Sequence, residues 1–375
     1  MTSQGGQPSA PARARLDEAA REIAAKRPRE AFALAEQAIE VDRACAATLG
    51  EAGRRMLDAA LGFDDASFGP AVARTERVLL DALTLDWTFP MARDGLQKVA
   101  AVLCAVRRNH RPEVAELLAA GNQHFMALRF SEAERFFAYA TKVDPTDATA
   151  HKYLGNAIYN QKRLPEAVSY FRRATELDPL DPQAFKFLAD ACLDAKDIPS
   201  MWRAIYGAIA ANPRYWSAWL MLDRLLAGGG VAMRRFRLRP AATPDFRTKT
   251  ITVDPSATPA TAAAWMAYAA TWAEKGTSDM SRYACELEAI TRMTQVITEL
   301  LQNDEATTRS TIDPDLLLLP ELAKRGDLRP LCFVLRYHES FRPELEAWKQ
   351  EWARATGDPI EAVQNFLVRT RMRPL

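Results

Sequence analysis

The sequence predicts an all-α protein whose centre is a solenoid of paired helices. Two observations predict it. An internal repeat of 34 residues runs through 114–215, and amphipathic helical patterning continues on both sides of it.

The repeat shows when 114–147, 148–181 and 182–215 are aligned. Position 8 holds Gly121, Gly155 and Ala189; position 20 holds Ala133, Ala167 and Met201. Position 24 holds Phe137, Phe171 and Ile205; position 27 holds Ala140, Ala174 and Ala208; position 32 holds Pro145, Pro179 and Pro213. Small residues at 8, 20 and 27 let two helices approach closely, and the large residue at 24 fills the space between repeats. Proline lacks the donor that a helix interior needs, so it falls where one helix ends and the next begins. Each hairpin exposes an apolar face that only its neighbour covers, which makes the stack fold as a unit.

At these residues the sequence resembles the tetratricopeptide repeat family, over about a third of the chain; Met201, where the family has alanine, is the one departure. The resemblance implies a right-handed α-solenoid, a scaffold that binds a protein or peptide partner, and no catalysis. It also implies an inner wall made by positions 2, 5, 9, 12 and 13 of the first helix of each repeat. Position 5 is Leu118, Lys152 and Lys186; position 9 is Asn122, Asn156 and Asp190. Position 12 is Phe125, Tyr159 and Leu193; position 13 is Met126, Asn160 and Asp194. The candidate peptide-binding residues are therefore Asn122, Phe125, Lys152, Asn156, Tyr159, Lys186 and Asp190. Lysine and asparagine suit a carboxylate or a peptide backbone, and the aromatics supply apolar contact. The carboxylate clamp of chaperone-binding repeats is not reproduced, because Leu118, Tyr153, Gln183 and Phe187 stand at its positions. An alternative role is an export or assembly chaperone similar to the repeat chaperones of type III secretion, although the flanking regions make this chain too long for that pattern.

Residues 1–11 are rich in Gly, Pro, Ser and Gln and read as a disordered tail. From 12 to 113 the pattern gives four or five helices that extend the solenoid as degenerate repeats. Residues 29–44 read as the second helix of such a repeat, with Ala31, Ala35 and Ala38 in step but no clean first helix before them. Helical periodicity also marks 72–85 and 91–107, and Phe63, Phe68, Trp87 and Phe89 fall in connections. Residues 216–226 read as a capping helix that closes the 114–227 stack. Gly228, Gly229 and Gly230 then open a linker over 228–259, rich in Pro, Thr and Arg, with a short extended stretch at 248–253. A helical region fills 260–375, with helices at 264–272, 281–301, 331–338, 343–355 and 360–369.

Composition bounds the function. Lys plus Arg is 49 and Asp plus Glu is 48, a balance that argues against a dedicated nucleic-acid binder. The arginine runs at 234–239 and 369–373 accordingly read as solvated segments. The five cysteines lie far apart with no CxxC pair, which argues against zinc or a disulfide framework and suits small buried apolar residues. The four histidines lack metal-ligand spacing, and the glycine run has no Lys-Ser/Thr after it, so no metal or cofactor is expected. Trp265, Trp272, Trp348 and Trp352 read as core. With no apolar leader or membrane-length run, the expectation is a cytoplasmic protein with no membrane partner.

Overall fold

The computed structural model describes residues 7–374 apart from 44, 86–89, 93, 97, 100–109, 237, 239, 246–249, 276–279 and 338. Two units emerge, 1–224 and 225–374. The division falls three residues before the expected end of the stack at 227, within one helix.

In the first unit, α1 (Ala10–Ala24), α2 (Pro28–Val41), α3 (Ala46–Ala60) and α4 (Asp65–Leu85) precede the repeats, and the described residues between 90 and 99 are helical as well. The repeats follow as α5 (Pro112–Met126) with α6 (Phe130–Val143), α7 (Ala148–Asn160) with α8 (Leu164–Leu177), and α9 (Pro182–Asp194) with α10 (Ile198–Ala211). Helix α11 (Trp216–Gly228) comes next.

The repeat chemistry works as its spacing implies. A Cβ on Gly121 would lie 2.4 Å from the Phe137 ring, and one on Gly155 would lie 2.9 Å from Phe171, so only glycine admits those rings. Both phenylalanines are 1% exposed, and each such burial contributes about 2–3 kcal/mol. Ala133, Ala140, Ala167, Ala174 and Ala208 are fully buried, and Met201 fits at the same depth as the alanines it replaces. Tyr153 packs on Phe137 and Phe187 on Phe171, which accounts for aromatic residues at position 6. Asp147, Asp181 and Asp197 cap the helices that follow them through side-chain carboxylates.

Every repeat hairpin closes with one residue in the left-handed region: Leu128, Lys162 and Lys196. Lys26, between α1 and α2, has the same conformation, and the three backbone bonds around it match those around Leu128. The hairpin α1–α2 is thus a further repeat-like pair. Its first helix is the one the sequence pattern failed to supply, and it starts within the expected tail, at Ala10. The Ser9 amide donates to Asp42 Oδ2 at 3.0 Å, tying that start down. Helix α4 begins well before residue 72 and takes in Phe68, which the sequence placed in a connection. Phe63 does lie in a turn, against Phe32. Trp87, Phe89 and most of 91–107 lie outside the described residues.

In the second unit the expected linker carries β-structure. Strand β1 (Arg234–Arg235) pairs in parallel with β4 (Met372–Arg373), so the two arginine runs meet. Strands β2 (Ala242–Asp245) and β3 (Thr250–Val253) form an antiparallel pair. Helices α12 (Pro259–Lys275), α13 (Arg282–Asn303), α14 (Glu305–Thr311), α15 (Leu319–Lys324), α16 (Leu328–Val334), α17 (Arg342–Thr356) and α18 (Glu361–Thr370) complete it. Tyr283, Phe333 and Trp348 stack in its core. Tyr268 donates to Glu286 Oε2 at 2.6 Å, and Arg336 Nε donates to Glu286 Oε1 at 2.9 Å. Trp265 and Trp348 are core as expected, whereas Trp272 and Trp352 are half-buried. Cys192, Cys285 and Cys332 are buried, Cys45 is half-buried, and Cys104 lies outside the described residues.

Candidate functional site: the inner face of the repeats

The first helices of the three repeats, α5, α7 and α9, present one stripe each to the inner face. Residues four and seven apart share a helix face, so Leu118, Asn122 and Phe125 share a side of α5, and Lys152, Asn156 and Tyr159 do so on α7. Lys186, Asp190 and Leu193 do the same on α9.

The stripes are not uniformly open. On α5, Leu118 is 5% exposed and Met126 81%. On α7, Thr149 and Lys152 are 5% and 3% exposed, whereas Asn156 and Tyr159 are half-buried and Asn160 is exposed. The half of the face beside the inter-repeat turn is therefore closed on α7, whereas on α5 Leu118 is closed and Ala115, at position 2, is exposed. The half beside the hairpin turns is open.

Lys152 corrects the sequence expectation. Its Nζ donates to Asp181 Oδ2 at 2.8 Å and to Gln183 Oε1 at 2.9 Å, and Asp181 is only 1% exposed. This lysine ties α7 to the start of α9 and offers nothing to a ligand. Periodicity identified its face correctly but carries no information on what the next repeat places against it.

The other candidates remain at the surface, with specific partners. Lys186 pairs with Asp190 one turn along α9. Burial pushes the Asp190 carboxyl above the usual range, and the Lys186 ammonium partly offsets this. Tyr159 donates to Asp194 Oδ2 at 2.6 Å across α7 and α9. Burial first, then that bond, hold its phenol protonated well above the ordinary tyrosine range. Asn160 Nδ2 donates to the Asn156 carbonyl at 2.8 Å. Asn122 and Phe125 are half-buried, and Phe125 meets Phe130 edge-on at 5.3 Å.

The open half thus combines amides, paired charges and apolar side chains, ending at Met126 and at Leu193, which is 37% exposed. Its lysines are committed within the repeats, so it is not the cationic groove that the sequence implied. Asp194, placed on the inner wall at position 13 by the sequence, was not among the candidate binding residues, yet it meets Tyr159. Arg224 of α11 escaped the sequence reading; it is close enough to Asp190 to act on its carboxyl and stands at position 9 of the next 34-residue frame. Helix α11 extends the inner face as a further first helix, where the sequence saw only a cap.

Among the described residues, no group of three or more His, Cys, Asp or Glu side chains converges to hold a metal ion. No helix among them is long and apolar enough to cross a membrane.

Comparison with known proteins agrees with the repeat geometry. Residues 118–182 match the model of the tetratricopeptide repeat family. No curated protein matches the chain. Among solved structures, the TPR2AB-domain:pHSP90 complex of yeast Sti1 is 18% identical, with 58% of this chain and 98% of that one covered at a TM-score of 0.30. YrrB, described as a TPR protein with an unusual peptide-binding site, is 17% identical, with 56% and 90% covered at 0.24. MamA from Desulfovibrio magneticus RS-1 is 16% identical, with 58% and 98% covered at 0.23. At these scores the structural likenesses add nothing to what the family match and the hairpin geometry give.

Proposed function

We propose that this chain, a tetratricopeptide-repeat protein through residues 118–182, is a non-catalytic scaffold that holds a protein or peptide segment on the open half of its inner face. The observation that supports this most is the graded exposure of the three stripes. Half-buried amides at Asn122 and Asn156, the Tyr159 hydroxyl and the exposed Met126 and Leu193 side chains stand on one surface. Such a surface suits an extended segment that supplies backbone hydrogen bonds and apolar side chains. With Lys186 paired to Asp190, and Lys152 buried, an acidic partner is not favoured. The export-chaperone alternative draws on nothing beyond the repeats themselves.

The test is capture from native lysate on full-length chain, wild type against Asn156→Ala/Tyr159→Ala. Both side chains are half-buried on one face, so the variant keeps its circular dichroism. A partner retained by the wild type and lost by the variant supports the reading. A partner held equally by both moves the site elsewhere.

A further inference from the structure

In an open array each repeat touches only its neighbours, so the chain before the first repeat does not meet the end of the third. Here it does. Glu76 of α4 accepts from Arg214 Nη1 at 2.8 Å, across 138 residues of sequence, and Arg214 stands in the turn that ends the third repeat. The pair is largely buried, at 15% and 25% side-chain exposure. Helices pack about 8–10 Å apart, and α5 to α10 stand between α4 and Arg214 along the chain. An extended stack would keep the two far beyond side-chain reach.

A second observation lies at the same end. Positions 26 and 29 of the repeat are exposed at Tyr139 and Lys142 of α6 and at Arg173 and Glu176 of α8. On α10 the same positions are Gly207 and Ala210, and both are buried; Tyr206 beside them is 6% exposed. A first helix follows each of the three, α7, α9 and α11, so the following helix does not make the difference. The outer face of the third repeat is thus covered where the first two are bare, and Arg214 stands about one turn beyond it.

We infer that the helices preceding the repeats close back on the third repeat, with Glu76 and Arg214 as the clasp, and that the first unit is a closed assembly rather than an open array. The clasp is a conformational device. An open array changes its curvature through small rotations at every repeat interface, whereas one joined at both ends does not. The inner face is then held at one curvature, and a partner meets a pre-set surface. The closure itself does not depend on where a partner binds, and its test needs none.

Hydrogen exchange of the full-length chain, read by mass spectrometry, compares α4, α8 and α10. The variants are Arg214→Met, Arg214→Glu, Glu76→Arg and the swap Glu76→Arg/Arg214→Glu. Arg214→Glu is expected to speed exchange in α4 about fivefold and to leave α8, in the middle repeat, unchanged, because the effect crosses the clasp and not the stack. Glu76→Arg speeds α10 in the same way, and the swap restores both helices. Arg214→Met, which keeps the stem, gives the same pattern at lower amplitude and stands in for the reversals should these unfold the chain. An α4 indifferent to both Arg214 variants overturns the inference, because the pair then holds nothing. So does α8 loosening together with α4, since the change would then travel through the repeats as in an open array, and so does a swap that exchanges as fast as its parents.

Discussion

Replacing Lys152 by methionine keeps the stem and removes the ammonium that Asp181 and Gln183 share. Asp181, 1% exposed, then keeps its charge without its main counter-ion. Breaking a buried pair from one side costs about 3–5 kcal/mol, and the lower end applies because Asp181 also accepts from the Gln183 amide at 3.0 Å. The companion Asp181→Asn retains a capping oxygen and removes the charge. The pair of changes together costs less than Lys152→Met alone, since no buried charge is then stranded. A double-mutant cycle on the helical circular-dichroism transition in urea measures the coupling, expected at about 2 kcal/mol or more. Lys152→Met costing under about 1 kcal/mol, the range of an exposed ion pair, would refute the structural role and return this lysine to the binding surface.

Gly121→Ala places a Cβ 2.4 Å from the Phe137 ring; overpacking of about 1–3 kcal/mol outweighs the gain in helix propensity, and Gly121→Ala/Phe137→Leu recovers part of the loss in the same transition. Ala167→Trp, at a fully buried position, abolishes the cooperative helical transition of the repeats; an unchanged melt contradicts the hairpin packing. In the second unit, Arg336→Met leaves Glu286, 4% exposed, without its arginine and costs about 3 kcal/mol or more, whereas Arg336→Lys costs less; equal melting of both variants counts against the buried cluster. Hydrogen bonds from Ser200 hold the Asp197 carboxyl below its usual range. Its contribution is therefore complete above the ordinary carboxylate pKa and is lost as pH falls through the lower folded value. Asp197→Asn should accordingly shallow the acid limb of a stability-against-pH curve, and an unchanged limb contradicts the capping bond.

The three central repeats were legible because their chemistry recurs at fixed spacing, and each slot answers to one steric demand that a sequence displays. The N-terminal hairpins hid for identifiable reasons. In α1 the close approach is made by Ala19 and in α2 by Ala35, so neither the glycine nor the aromatic residue announces the pair. In α3 and α4 the glycine and its partner are present, since a Cβ on Gly53 would lie 2.6 Å from Leu79, but 26 residues separate them against 16 between Gly121 and Phe137. Leu79 stands two turns deeper in α4 than Phe137 does in α6, which breaks the period and with it the signal. At the site, the sequence placed side chains on the correct face and could not grade them along it. Lys152 and Lys186 occupy equivalent slots, yet one is buried against Asp181 and the other is half-open beside Asp190. That difference is made by residues distant in sequence, as is the ion pair between Glu76 and Arg214. The β1–β4 pairing of two arginine segments at opposite ends of the second unit was illegible for the same reason.

The most direct test of the account places a photo-crosslinking residue at position 159, replacing the half-buried tyrosine of the open half, and for comparison at position 139, replacing an exposed tyrosine on α6. A crosslinked partner from 159 and none from 139 is the predicted result. The same partner from 139, with 159 silent, would put the binding surface on the second helices and contradict the assignment of the inner face.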